Sequence, residues 1–167
     1  HAIDREHVVK QILRGHGVPA NDHPISPVNR FHNKDLPQRI YDPEKAKFHL
    51  KKAGKLGETF NLHVSDEGFP GAVDAGMLYQ QHAAKAGIKL NIVREPADGY
   101  WNDVWMKKPW CAVYWGGRIT EDWMFTTTYA ADAPWNDSKW KHDRFNKLLL
   151  AARAELDTNK RREMYYE

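Results

Sequence analysis

The sequence predicts an α/β fold, a lobe with a mixed or parallel central sheet flanked by helices. Apolar and polar residues alternate over 60–64 and again over 88–92, which is the period of a strand. The segment between them, about 71–86, has apolar residues at helical spacing and a glycine at its C-terminal end. A strand, a helix and a strand within about 35 residues form a βαβ unit, whose two strands are parallel with a right-handed crossover.

A third segment, WCAVYW at 110–115, extends the predicted sheet. It shows no polar alternation, and a strand that is apolar on both faces is typical of the centre of a sheet covered on both sides. In open α/β sheets, ligands bind just beyond the carboxyl ends of the strands. This position predicts a binding site in the segment that follows, 116–122.

The elements before the βαβ unit are two helices and a loop. Asp4 is expected to cap a first helix, with an apolar stripe that continues through Leu13. Four prolines and little periodicity over 15–41 predict a long ordered loop, a feature that is usually functional or packed over something. Asp42 followed by Pro43 is the N-cap and first residue of a second helix.

The elements after the βαβ unit are also helical. A short helix over about 98–108 ends at a proline, and another helix starts at Thr120 or Asp122. Apolar residues recur at helical spacing over 145–156, and Asp157 is expected to begin one more helix.

Composition limits the class of protein. The 167 residues, 41% of them apolar, suit a single α/β lobe over 1–167. A net charge of +3, with no basic cluster among aromatic residues, argues against a nucleic-acid partner. Cys111 is the only cysteine, so no internal disulfide and no cysteine-based metal site is expected. No apolar run has the length of a transmembrane helix, and no signal peptide opens the sequence.

The stretch WGGRITEDW combines ring faces, bare backbone and both signs of charge, which together are typical of a ligand site. Tryptophan rings bind apolar, sugar or peptide groups by flat contact, and paired glycines let backbone amides approach a ligand. A guanidinium beside such amides suits a carboxylate or a phosphate. The candidate ligand-binding residues are Trp115, Gly116, Gly117, Arg118, Glu121, Asp122 and Trp123.

Structural roles stay open for the same residues. The glycines can simply make a tight turn, and Arg118 can pair with Glu121 or Asp122 instead of a ligand. Trp115 and Trp123 fit either role, whereas a core position is expected for Trp101, Trp105, Trp110 and Trp140. Neighbouring carboxylates on a helix point about a hundred degrees apart, so a catalytic pair is not expected. No nucleophile elbow, zinc-helix motif or phosphate loop is present, so no catalytic residue is predicted.

No metal site and no cofactor is predicted. The nine histidines are scattered, and none lies three or four residues from another, the spacing that places two ligands on one face of a helix. His16, His23 and His32 share the long loop, and their convergence on a metal is kept as an alternative.

Several segments, taken in order, resemble one family. They are AIDREHVVKQILRGHGVPAN, the proline loop, YDPEKAKFHLKKAG, the strand–helix–strand ending KAGIKLNIVRE, and the strand ending YWGG. In this order they resemble the extracytoplasmic solute-binding proteins of peptide, dipeptide and nickel ABC transporters. The resemblance covers nearly the whole chain, and YDPEKAK is its most specific part.

The resemblance implies a periplasmic-binding-protein-like lobe, the second of two lobes that close on a ligand. The chain begins on a helix start and stops within a helix, so we expect a piece of a longer protein. The implied partners are the remaining lobe, a small-molecule or peptide ligand and the membrane permease of an ABC transporter. The implied location is the periplasm or the outer side of the cytoplasmic membrane, and the implied activity is binding, not catalysis.

One position departs from the pattern of the family. In peptide-binding members, the strand-end tryptophan is followed three residues later by an aspartate that holds the terminal amine of the ligand. Here Trp115 matches the tryptophan, and Arg118 stands where the aspartate is expected. The family implies an oligopeptide ligand, whereas the reversed charge favours an anionic or zwitterionic small molecule. The alternatives are a nickel or haem carrier that uses the loop histidines and a carbohydrate-active enzyme.

Overall fold

The chain forms two compact units. The computed structural model describes every residue, His1–Glu167. Unit 1 consists of His1–Asp22 and Gln38–Tyr114, and unit 2 consists of His23–Pro37 and Trp115–Glu167. The assignment of the whole chain to one lobe stays a prediction.

Two capped helices frame the start of unit 1. The first, α1, spans Arg5–Gln11, and the carboxylate of Asp4 accepts from a backbone amide in its first turn. The second, α2, spans Pro43–Lys52, with Asp42 in the same capping role and proline in the first turn. Both caps were predicted from the sequence, as was the absence of helix or strand between the two helices.

The predicted βαβ unit is confirmed. Strand β1 spans Thr59–Val64, helix α3 spans Ala72–Lys85 and strand β2 spans Lys89–Arg94. The strands are parallel and form a two-stranded sheet. The helix packs closely on the sheet because Gly76 faces it: a Cβ added there would lie 3.1 Å from a methyl group of the buried Val64.

The run 110–115 does not form a central strand, so that prediction was wrong. It joins β1 at one bridge, where the amide of His63 donates to the Trp110 carbonyl at 3.1 Å and the His63 carbonyl accepts from Ala112 at 2.9 Å. Trp110 is 36% exposed and Tyr114 60% exposed. The run is apolar because its aromatic side chains pack against other rings at the surface. Tyr114, for example, lies edge-on to Trp101, with 5.9 Å between ring centroids.

A five-residue π-helical turn, Tyr100–Val104, stands where a longer α-helix was predicted over 98–108. The turn buries Tyr100, whose hydroxyl donates to the Ala112 carbonyl at 2.7 Å. Burial is the main cause that raises the pKa of Tyr100 to about 12. This side chain therefore ties the turn to the segment that follows it in the chain.

Unit 2 is helical. Helix α4 spans Glu121–Thr128 and is capped by Thr120, one of the two starts that the sequence allowed. Helices α5, Asp143–Ala154, and α6, Thr158–Tyr166, pack on each other, and Asp157 caps the second as predicted. The core of the unit includes the buried side chains of Ile25, Phe31, Met124, Leu149 and Ala152. No helix of the chain combines the length and the apolar character that crossing a bilayer requires.

Candidate ligand-binding site

All seven predicted binding residues lie in unit 2, in the segment 115–123, whose last three residues begin α4. Trp115 is the first of them, and its orientation is fixed. Its indole nitrogen donates to the carboxylate of Asp137 at 3.2 Å, and its ring centroid lies 6.2 Å from that of Trp135. The ring is half-buried, so part of its surface remains open.

Arg118 lies against two indole rings. Its guanidinium carbon is 5.9 Å from the ring centroid of Trp115 and 5.6 Å from that of Trp123. Both distances are within the range at which a cation is attracted to an aromatic face. Its Nη1 also donates to the Gly116 carbonyl at 2.8 Å, so the side chain turns back toward the backbone two residues before it. We name Trp115, Gly116, Arg118 and Trp123 the Arg118 cluster.

The positive charge of Arg118 has no acidic partner. None of the ion pairs in the chain includes it. Its Nε is buried and makes no hydrogen bond, an arrangement that costs free energy unless something accepts from it. The structural alternative, an ion pair of Arg118 with Glu121 or Asp122, is therefore wrong. The cluster therefore contains a cation without an ion-pair partner and with one unsatisfied donor.

The two carboxylates are used within unit 2. Glu121 is only 5% exposed, and its Oε1 accepts from the backbone amide of Phe31 at 2.7 Å. Asp122 accepts from Nε of Arg153 at 3.1 Å, and this arginine also donates to Thr126. These contacts give both acids a structural role, and their role as acceptors for a ligand stays a prediction.

The glycine pair is not required by backbone geometry. Neither Gly116 nor Gly117 has a positive φ, and a Cβ added at Gly117 would meet no atom within 4 Å. A Cβ at Gly116 would meet only Nη1 of Arg118, at an ordinary 3.6 Å. Both residues are exposed. Their absence of side chains leaves the backbone open beside Arg118, which suits close approach by a ligand.

Residues distant in sequence hold the Arg118 cluster in place, and sequence reasoning missed them. The side-chain amide of Asn29 donates to the carbonyls of Arg118 at 3.0 Å and of Ile119 at 3.2 Å. Asp137 and Trp135 fix the ring of Trp115. Asn29 belongs to the long loop, and only its unusual length signalled that the loop packs against something.

None of the seven tryptophans is buried. The predicted core position was wrong for Trp110 and Trp140, which are exposed, and Trp101 and Trp105 are half-buried. Trp140 stacks on His142, with 5.5 Å between ring centroids, and stays at the surface. Large rings count as apolar in a sequence pattern, but their size lets them cover other rings while remaining partly in contact with water.

The loop histidines lie in different units: His16 is in unit 1, and His23 and His32 are in unit 2 with 5.0 Å between their ring centroids. Another group was not predicted. His7 in α1 and His82 in α3 lie beside Asp4, and the ligand atoms of all three are within 4.8 Å of one another. The histidines are 75 residues apart, so no local spacing signals the group.

Comparison with known proteins identifies the family. Residues 1–137 match the sequence model of the bacterial extracellular solute-binding proteins, family 5. The chain is 32% identical over 181 residues to the dipeptide-binding protein of Escherichia coli (strain K12), a match that covers 99% of this chain. It is 27% identical over 179 residues to the di/tripeptide-binding protein 1 of Pseudomonas aeruginosa (strain UCBPP-PA14), which covers 98% of this chain.

A solved structure shows the same fold. The periplasmic binding protein DppA from Helicobacter pylori, in complex with the peptide STSA, superposes with a TM-score of 0.84 and 25% identity over 99% of this chain. The match covers 33% of that protein, and the chain spans 32% of each of the two curated relatives. It therefore corresponds to about a third of their length. The chain belongs to family 5 of the bacterial extracellular solute-binding proteins.

Proposed function

We propose that the chain is part of the substrate-binding component of an ABC importer, and that Arg118 binds an anionic group of the solute. Membership of the family supports the first part. The observation that carries the second part is the guanidinium of Arg118, which takes part in none of the ion pairs of the chain. The names of the relatives, which are binding proteins, also support the first part.

The geometry supports binding in the following way. A carboxylate beside the accessible part of the Arg118 guanidinium would supply the counter-charge that this group lacks, through the charge-assisted hydrogen bonds that guanidinium groups favour. The faces of Trp115 and Trp123 lie within cation–π distance of the guanidinium and favour its position beside the glycine pair. The exposed backbone of Gly116 and Gly117 would line the approach of the ligand.

The proposed mechanism is capture by closure. In this proposal, the remaining lobe of the complete protein covers the solute, excludes water and strengthens its ion pair with Arg118. The closed form then delivers the solute to a membrane permease outside the cytoplasm. No bond of the solute is broken, so the chain is proposed to have no enzymatic activity.

Peptides are the second candidate class of solute. The Escherichia coli relative is named a dipeptide-binding protein, and the Helicobacter pylori relative holds the peptide STSA. A peptide is zwitterionic and also offers a carboxylate to Arg118. The proposal therefore includes acidic small molecules and zwitterions, and it excludes solutes without an anionic group.

The test is mass spectrometry of the solute that co-purifies with the complete protein and is released by denaturation. We expect a molecule with a carboxylate or phosphate in the unmodified protein and its loss from Arg118→Ala. The matched control is Arg144→Ala, because Arg144 is an exposed arginine of unit 2 that pairs with Glu167. The same solute in all three samples would show that Arg118 has only a structural role.

A further inference from the structure

A second cluster of polar side chains lies in unit 1, where α1 meets α3. Nδ1 of His7 is 2.9 Å from Nε2 of His82, and the ligand atoms of these histidines and of Asp4 lie within 4.8 Å of one another. His82 is 4% exposed, and His7 and Asp4 are half-buried. The buried imidazole of His82 thus lies beside a second imidazole and a carboxylate, which are side chains that bind transition metals.

The backbone already orients these groups. Oδ1 of Asp4 accepts from the amide of His7 at 3.0 Å, which fixes the carboxylate at the start of α1. The hydroxyl of Tyr41 donates to the backbone carbonyl of His82 at 2.8 Å, and the Tyr41 ring lies 5.4 Å from the imidazole of His82. The side chains therefore lie on supports that do not depend on any bound ion.

The donor set selects the class of cation. Two imidazole nitrogens and one carboxylate oxygen suit borderline divalent transition metals such as Zn²⁺, whereas Mg²⁺ and Ca²⁺ require mainly oxygen ligands. Two nitrogens bound to zinc in tetrahedral geometry are about 3.3 Å apart, so the present contact has to widen by roughly 0.4 Å. A change of that size is within the reach of side-chain rotation.

We propose that Asp4, His7 and His82 form a site for one divalent transition-metal ion, which links the N-terminal helix α1 to α3 within unit 1. The ion replaces the proton that the two imidazole nitrogens now share. Nε2 of His82 becomes a ligand, so the proton of the neutral ring moves to Nδ1. That nitrogen gives up its 3.3 Å contact with the amide of Asp4. Water completes the coordination, because the chain supplies three ligands.

The site is independent of the solute proposed for Arg118. It lies entirely in unit 1, and the Arg118 cluster lies entirely in unit 2. Loss of the metal is therefore not expected to alter the residues of the Arg118 cluster, and failure of either proposal leaves the other standing.

Titration of the metal-free complete protein with Zn²⁺ near pH 7 tests the site, with calorimetry for the affinity and elemental analysis for the stoichiometry. We expect one site in the unmodified protein and weakening of at least about 100-fold in His7→Gln, which removes a ligand. The matched control is His16→Gln, because His16 is an exposed histidine of the same unit, and the affinity of this variant is expected to be unchanged. Mg²⁺ is expected not to bind.

Imidazole ¹⁵N spectra of the unmodified protein give a readout that needs no altered side chain. Zn²⁺ is expected to shift Nδ1 of His7 and Nε2 of His82 and to move the proton of His82 to Nδ1. Equal zinc affinity in His7→Gln and His16→Gln, or zinc binding that leaves both of these resonances unchanged, would overturn the proposal. Absence of a zinc site in the unmodified protein would overturn it as well.

Discussion

The guanidinium of Arg118 lies over two indole rings and donates to one backbone carbonyl, and it takes part in none of the ion pairs of the chain. A half-buried cation without a counter-charge suits a site where a ligand supplies the missing charge. The neighbouring acids show the contrast. Glu121 and Asp122 are engaged by Phe31 and Arg153, so their charges serve the folded structure.

At the residue scale, alanine substitution is expected to distinguish the contributions of Glu121 and Asp122 to stability. Glu121→Ala leaves the buried amide of Phe31 without an acceptor and is expected to lower the free energy of unfolding by about 1–3 kcal/mol. Asp122→Ala removes only a partly exposed ion pair, with an expected cost below about 1 kcal/mol. Urea unfolding of both variants measures the difference. Equal costs would contradict the structural role of Glu121 as the acceptor for the Phe31 amide.

At the element scale, the helices and strands that depend on short-range chemistry could be predicted from the sequence, and those that depend on distant neighbours could not. Caps at Asp4, Asp42 and Asp157 and the alternation in β1 are short-range signals, and the structure follows them. The prediction of a central strand over 110–115 was wrong because an apolar run does not show which neighbouring elements cover its side chains. The Arg118 cluster was found as a set of residues, but its supports come from distant parts of the chain, such as Asn29.

Tyr100 provides the prediction at this scale. Its pKa is about 12 in the folded chain and 10.0 without the fold, so its contribution to stability is complete below pH 10 and is lost as the pH rises toward 12. The loss attributable to this group is on the order of 2 kcal/mol. Urea unfolding at several pH values between 10 and 12 measures how steeply the free energy of unfolding falls with pH.

Two tyrosine variants show how much of the pH dependence of the free energy of unfolding comes from Tyr100. Tyr100→Phe is expected to be less stable at neutral pH, because the hydrogen bond to the Ala112 carbonyl is lost, and to show a shallower decline above pH 10. Tyr114→Phe is the control, because this tyrosine is exposed whereas Tyr100 is buried. An unchanged slope in Tyr100→Phe would contradict the assignment.

At the scale of the whole molecule, the chain corresponds to about a third of the length of its relatives, and it carries two separate chemical features. Unit 2 holds the Arg118 cluster, and unit 1 holds the group of Asp4, His7 and His82. The family was recognisable from the order of the sequence segments. The charge reversal at position 118 was visible too, but only the structure shows that no acid within the chain neutralises it.

Binding of the anionic group by Arg118 is tested by a thermodynamic cycle on the complete protein, measured by calorimetry. The released solute and a derivative in which its anionic group is converted to a neutral amide or ester are each titrated into the unmodified protein and into Arg118→Ala. We expect the substitution to weaken binding of the acid by about 100-fold, as for a charge-assisted pair of about 3 kcal/mol, and to change binding of the neutral derivative by less than about threefold. Equal weakening for the two compounds would contradict the claim that Arg118 binds the anionic group.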